Sequence, residues 1–284
     1  MTESLATDRY AHCFDGPIVT IDGVNVTYGS TPILYNFSLQ ILDVVQTGDT
    51  SIQRGQVTAI LGPSGIGKST LFRVLAGLEE PNSGHVLVTK KQVPVRPGMV
   101  GVVSQSYELL EYFTVYDNLL LAARMAGIGK SEAKDRTKLM IERFGISEQR
   151  DQYPKELSGG QRQRAAIARQ LLNCNSILLM DEPLSGQDFM NLTNTCNVIR
   201  ELTSHDELLT MVVVTHDIGA AMTVADRIII MGRTWNEQRQ LLGANVRKEI
   251  DLIDAGIAWR DRNRYLPQFN DLRRDIEENV FPTL

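Results

Sequence analysis

Three short runs of residues have types and spacings suited to chemistry. The first, Gly62-Pro63-Ser64-Gly65-Ile66-Gly67-Lys68-Ser69-Thr70, fits GxxxxGK[ST]. Glycines so placed let successive backbone N–H groups turn inward and cradle phosphate oxygens, and a helix starting there adds positive potential. Lys68 can reach β- and γ-phosphates, and the Ser69 hydroxyl can ligate Mg²⁺. The second run, ILLMDE at 177–182, is an apolar strand ending in two acids. Such a strand places both carboxylates at the carboxyl edge of a parallel sheet, beside the phosphate loop. Asp181 suits holding Mg²⁺ through its water shell, and Glu182 suits polarising a water that attacks a γ-phosphate. The third run is Leu157-Ser158-Gly159-Gly160-Gln161, followed by Arg162-Gln163-Arg164. Ser158 and the two glycine amides stand at the start of a helix, a second place that can grip an anion.

These runs need elements to position them. Residues 1–16 are polar and irregular and read as a loose lead-in. From 18 to about 42 the text is rich in β-branched residues and alternates, as strands do. Residues 43–55 read as a long surface loop. QVTAIL at 56–61 is a buried strand that enters the phosphate loop, and a helix over 69–76 follows, ended by Gly77. Residues 107–172 are mainly helical. Thr114 with Asp117 resembles a capping box. Ser131 is expected to cap the next helix, which Gly145 ends, and Ser158 to cap a third. Short apolar strands then return as ILLM, MVVV and IIIM. Apolar strands alternating with helices predict a parallel sheet covered on both faces. In the tail, 246–252 alternates like a half-buried strand. Pro267 opens a helix with Phe269, Leu272, Ile276 and Val280 on one stripe. The tail reads either as a strand and helix docked on the main domain or as a separate ligand-binding module.

Composition sets outer bounds. The chain has 284 residues, 43% hydrophobic and 22% charged, and a net charge of −5, which makes it a poor general nucleic-acid binder. Cys13, Cys174 and Cys196 are odd in number and lack CxxC spacing. They support neither a disulfide framework nor a cysteine-rich zinc site, and they suit a reducing cytosol. No apolar run approaches the ~18–20 residues that span a bilayer. MTESLATDRY lacks the apolar core of a secretory signal, so a soluble, cytosolic protein is expected.

The run LSGGQ, with the phosphate loop and the acidic strand end, resembles the ATPase subunit of ATP-binding cassette (ABC) transporters. The resemblance covers about 18–232. It implies an α/β fold: a P-loop NTPase (RecA-like) core with a parallel sheet, an antiparallel β subdomain and an inserted α-helical subdomain near 107–172. It thereby implies a lead-in at 1–16, an ATPase domain at 17–239 and a strand/helix extension at 240–284. It also implies roles by position. Tyr28 matches the aromatic that stacks on adenine. Gln105 matches the glutamine that contacts Mg²⁺ and the attacking water. His216 matches the histidine that contacts the γ-phosphate. Ser158, Gly159, Gly160 and Gln161 would grip the nucleotide bound by an opposite subunit. Ser185-Gly186-Gln187-Asp188 matches a loop across the dimer interface, usually SALD in the family, so Gly186 and Gln187 depart from the pattern. The stretch 43–53 is also longer than the family's usual turn.

The resemblance further implies ATP and Mg²⁺ as cofactors, with hydrolysis by Glu182, His216, Gln105 and Lys68. It implies a homodimer or paired cassette around two ATP. Permease subunits in the membrane would be its partners, a solute-binding protein would belong to the complex, and no nucleic acid would be bound. The chain would lie at the inner face of the cell membrane through the permease. Gln105 and Leu157 are separated by 52 positions, too few for the coiled coils of chromosome-structure relatives, and there is one cassette. That pattern is similar to an importer subunit. The tail pattern P-x-F-x-x-L-R-x-x-I at 267–276 resembles ATPases of nitrate, sulfonate and taurine importers. A cassette of a lipid- or lipoprotein-moving envelope complex and a cytosolic non-transport ATPase are the alternatives.

Overall fold

The β-branched text of the first third forms two long antiparallel strands, β1 (His12–Tyr28) and β2 (Thr31–Gln46), joined at a tight turn after Tyr28. The computed structural model describes residues 12–46, 55–104, 106–173, 177–183, 189–204, 209–258, 260 and 262–284. Strand β4 (Ser83–Val88) adds to β1, and β5 (Val93–Pro94) closes that edge, both antiparallel. Five parallel strands make the other part of the sheet: β3 (Gln56–Leu61), β6 (Gly101–Val103), β7 (Ile177–Asp181), β8 (Thr210–Thr215) and β9 (Arg227–Trp235). Their spatial order is β9-β3-β8-β7-β6. Strand β10 (Leu241–Asp251) runs antiparallel to β9 and meets β2 at Ala244–Leu34, which unites both parts in one sheet, of ten strands among the described residues.

Side-chain alternation explains why these strands are apolar throughout. Ala59, Leu61, Leu178, Met180, Met211, Val213, Ile228 and Ile230 enter one core, while Ile60, Ile177, Leu179, Val212, Val214 and Ile229 enter the other. The second core holds α1 (Lys68–Leu75) and the antiparallel strands. The first holds α2 (Val115–Met125), α3 (Lys130–Arg143), α4 (Gly159–Leu171), α5 (Phe189–Ser204), α6 (Ile218–Val224) and α7 (Pro267–Asp275). A strand with both faces covered cannot alternate apolar with polar residues. Burying each such Val, Leu or Ile contributes about 1.5–3 kcal/mol.

The architecture is the expected α/β cassette, with a parallel core, antiparallel strands beside it and helices inserted between β6 and β7. Three local expectations need correction. Residues 12–16 are not a loose lead-in but the start of β1, because they pair with 43–46 of β2. For the same reason 43–46 is strand rather than loop; of the remainder of that loop, 47–54 lies outside the described residues, and the Gly55 amide donates to the Thr203 carbonyl. Ser131 does not cap α3. Gly129 occupies the cap in extended conformation, and Ser131 falls in the first helical turn. Thr114 does cap α2, accepting from the Asp117 amide. The tail strand β10 is part of the main sheet. Phe269, Ile276 and Val280 are buried in the core shared with α6. Among the described residues no helix is long and apolar enough to cross a membrane.

Candidate active site

Strand register builds the site. Leu61 of β3 pairs with Thr215 of β8, and Asp181 of β7 pairs with Val214 of β8. The residues that follow these three ends are Gly62, His216 and Glu182, so neighbouring strands deliver all three to one edge. The loop after β3 turns through left-handed glycines, Gly65 at φ +77° and Gly67 at φ +108°. A side chain at Gly67 would collide with Ile33 of β2, at 2.9 Å. Glycine is required there on both counts. No side chain caps α1 at Gly67, so its first amides remain available to a phosphate.

Lys68, 7% exposed, donates to the carbonyls of Gly62 (2.8 Å) and Pro63 (3.2 Å), and its Nζ lies 3.7 Å from Glu182 Oε1. His216 Nδ1 lies 3.1 Å from both Glu182 oxygens. With Glu182 ionised, that nitrogen carries the proton. The Glu182 amide donates to the Val214 carbonyl at 2.8 Å. Burial lowers the Lys68 pKa, and Glu182 and Asp181 oppose the shift. Burial also raises the Asp181 pKa, reinforced by Glu182 and partly offset by Lys68. A cation at this edge would favour the ionised form of Asp181.

The remaining residues fall as follows. Ser69 is exposed in the first turn of α1, next to Lys68, and Thr70 is buried beneath it. Ser64 is exposed and Ile66 is buried in the second core. The oxygen-only pair of Ser69 hydroxyl and Asp181 carboxylate suits Mg²⁺. Tyr28 is 48% exposed at the end of β1, and its hydroxyl donates to Glu79. Glu79 carried no signal in the sequence. Ser158, Gly159 and Gly160 are exposed, and side chains on either glycine would meet nothing. Ser158 and Gln161 form a reciprocal capping box that leaves the start of α4 facing outward. The structure brings Lys68, Asp181, Glu182 and His216 together. Among the described residues, no hydrogen bond or ion pair joins Ser158–Gln161 to them. Gln105 and Asp188 lie outside the described residues.

The sequence profile of the ABC transporter family matches residues 45–185. The chain is 35% identical over 228 residues to the lipoprotein-releasing system ATP-binding protein LolD of Saccharophagus degradans, which covers 74% of this chain and all of that protein. The chain belongs to the ABC transporter family. This cassette is also 40% identical over 217 residues to the maltose/maltodextrin import ATP-binding protein MalK of Photorhabdus laumondii. That match covers 75% of the cassette and 55% of the relative, so the chain spans about half the length of this larger protein. The solved structure of cbiO1 from Clostridium perfringens, part of the ABC transporter complex cbiONQ, superimposes with a TM-score of 0.69 at 26% identity. It covers 91% of this chain and 99% of that one.

Proposed function

We propose that this cassette is the ATP-binding and ATP-hydrolysing subunit of an ABC importer. The observation that carries the reading is the convergence of Lys68, Glu182 and His216 at one sheet edge, beside an uncapped helix start. The amides of 65–69 and the Lys68 ammonium bind the β- and γ-phosphates, and Tyr28 stacks on adenine. Ser69 and Asp181, with Gln105, would hold Mg²⁺, which when bound would supply positive charge to offset charge developing on the transferred phosphoryl group. Glu182 takes the proton of the attacking water, and His216 orients that carboxylate and contacts the γ-phosphate. Ser158, Gly159, Gly160 and Gln161 grip the nucleotide of a second cassette, and Asp188 lies at that interface.

The partner in the membrane would be a permease, with the cassette held at the inner face and a solute-binding protein in the complex. The surface between β6 and α4 supports such docking. A cleft of about 280 Å³ opens between β6 and α4, lined by Ser104, Glu108 and Arg169, and Tyr112 beyond it is 94% exposed with Phe113 beside it. The maltose relative supports import. The finer assignment to a small anion or sulfonate-like solute rests on the tail pattern alone. The lipoprotein-releasing relative, matched along its whole length, favours a second reading as a cassette of an envelope complex. Co-purification separates them: a multi-span permease with a solute-binding protein supports import, and a partner with a lipid-binding domain supports the second reading. The hydrolytic assignment is tested by Glu182→Gln. ATP binding should persist while steady-state turnover falls by about 10²–10⁴-fold. Turnover close to that of the native protein refutes it.

A further inference from the structure

We propose that Tyr107 is a positioning residue for hydrolysis, tying the start of the signature helix to the backbone that aims Glu182. The proposal rests on the reading of Glu182 as the hydrolytic base. Glu182 has φ +47°, a left-handed conformation that non-glycine residues adopt rarely and keep only where their surroundings hold them. One hold is the hydrogen bond from its amide to Val214 in β8. A second acts on the next residue: the Tyr107 hydroxyl donates to the Pro183 carbonyl at 3.1 Å. Pro183 is buried and its ring fixes φ, which removes one of the two torsions through which a restraint on its carbonyl reaches Glu182.

Tyr107 is itself held in an unusual conformation, φ +48°, which a bulky residue adopts only under constraint. Its amide donates to Ser104 at 3.0 Å. Its carbonyl accepts from Arg162 Nε at 3.3 Å, and the same guanidinium pairs with Glu111. Arg162 lies four residues after Ser158, in the first turns of α4. A path of two hydrogen bonds therefore runs from the signature helix through Tyr107 to the residue after the hydrolytic carboxylate. It passes two positions from Gln105, beside the cleft between β6 and α4. The Tyr107 ring packs on the main core, which a phenylalanine would preserve. The hydroxyl is the part this packing does not need.

The test uses the full chain and measures ATP turnover, ATP-analogue binding and thermal unfolding together. Tyr107→Phe should lower kcat by about tenfold, with KM and equilibrium affinity for a fluorescent ATP analogue within about twofold of native and Tm unchanged. Arg162→Met should lower kcat in the same manner, and the double variant should fall no further than the slower single one, because both interrupt one path. A Tyr107→Phe kcat within about twofold of native overturns the proposal. So does a loss matched by weaker nucleotide affinity or a lower Tm, which marks a merely structural hydroxyl. Glu182→Gln is measured alongside. If it keeps turnover, the assignment of the base falls and the relay with it; if it is inactive while Tyr107→Phe is native-like, the relay alone falls.

Discussion

Asp181 ends a strand whose preceding four residues are buried, and it feels the charges of both Glu182 and Lys68. Burial and the Glu182 charge outweigh the lysine, so its pKa is raised above the ordinary 3.8. An acid with a raised folded-state pKa stabilises the fold fully only below its unfolded value, and that contribution is lost as pH rises through the folded value. At neutral pH the ionised Asp181 therefore opposes folding of the nucleotide-free chain. Asp181→Asn should raise Tm at pH 7 without nucleotide, and the gap should close as pH falls toward 3.8. The same variant should lose Mg²⁺-dependent turnover. Thermal melts from pH 3.5 to 7.5 check this, and an unchanged or lower Tm at pH 7 contradicts the electrostatic account. Residues of this kind were legible in sequence because their chemistry is tied to a short local pattern: glycines that must turn, a lysine after them, acids at a strand end. Tyr28–Glu79 and Tyr107–Pro183 were not, because their members lie 51 and 76 positions apart and only packing brings them together.

Elements divide in the same way. Helices α2 and α4 were legible through their caps, since Thr114 and Ser158 accept from first-turn amides of their own helices and need no tertiary partner. The parallel strands were legible because double coverage makes them apolar throughout. The start of β1 was not: Cys13, Phe14 and Asp15 become strand by pairing with Val45, Val44 and Asp43, and a sequence shows no partner. Ser131 was read as a cap by residue type alone, while Gly129 has the extended conformation a cap needs. These two helix starts make a direct comparison. Thr114→Ala should cost about 1 kcal/mol, because an amide of α2 loses its acceptor. Ser131→Ala should be nearly neutral, within about 0.5 kcal/mol, as for surface changes away from a cap. Urea unfolding of both variants measures the difference, and equal losses would mean that Ser131 shares in the capping.

On the scale of the whole molecule, the two helix starts proposed to bind phosphate differ in their contacts. The start of α1 closes on Lys68, Glu182 and His216 within the chain. The start of α4 is satisfied by its own capping box and exposes Ser158, Gly159 and Gly160 outward. Among the described residues the signature run meets no phosphate loop of its own, and under the function proposed above it would grip the phosphate held by another cassette, so that the site would be complete only when two chains close on two ATP. The most direct measurement is the mass of Glu182→Gln by light scattering, with and without saturating ATP and Mg²⁺. The account predicts 31.7 kDa without nucleotide and twice that mass with it, and a further Ser158→Arg change should keep the ATP-loaded protein at the lower mass. A Glu182→Gln chain that stays monomeric at saturating ATP, or one that pairs equally well with Ser158→Arg, would contradict it.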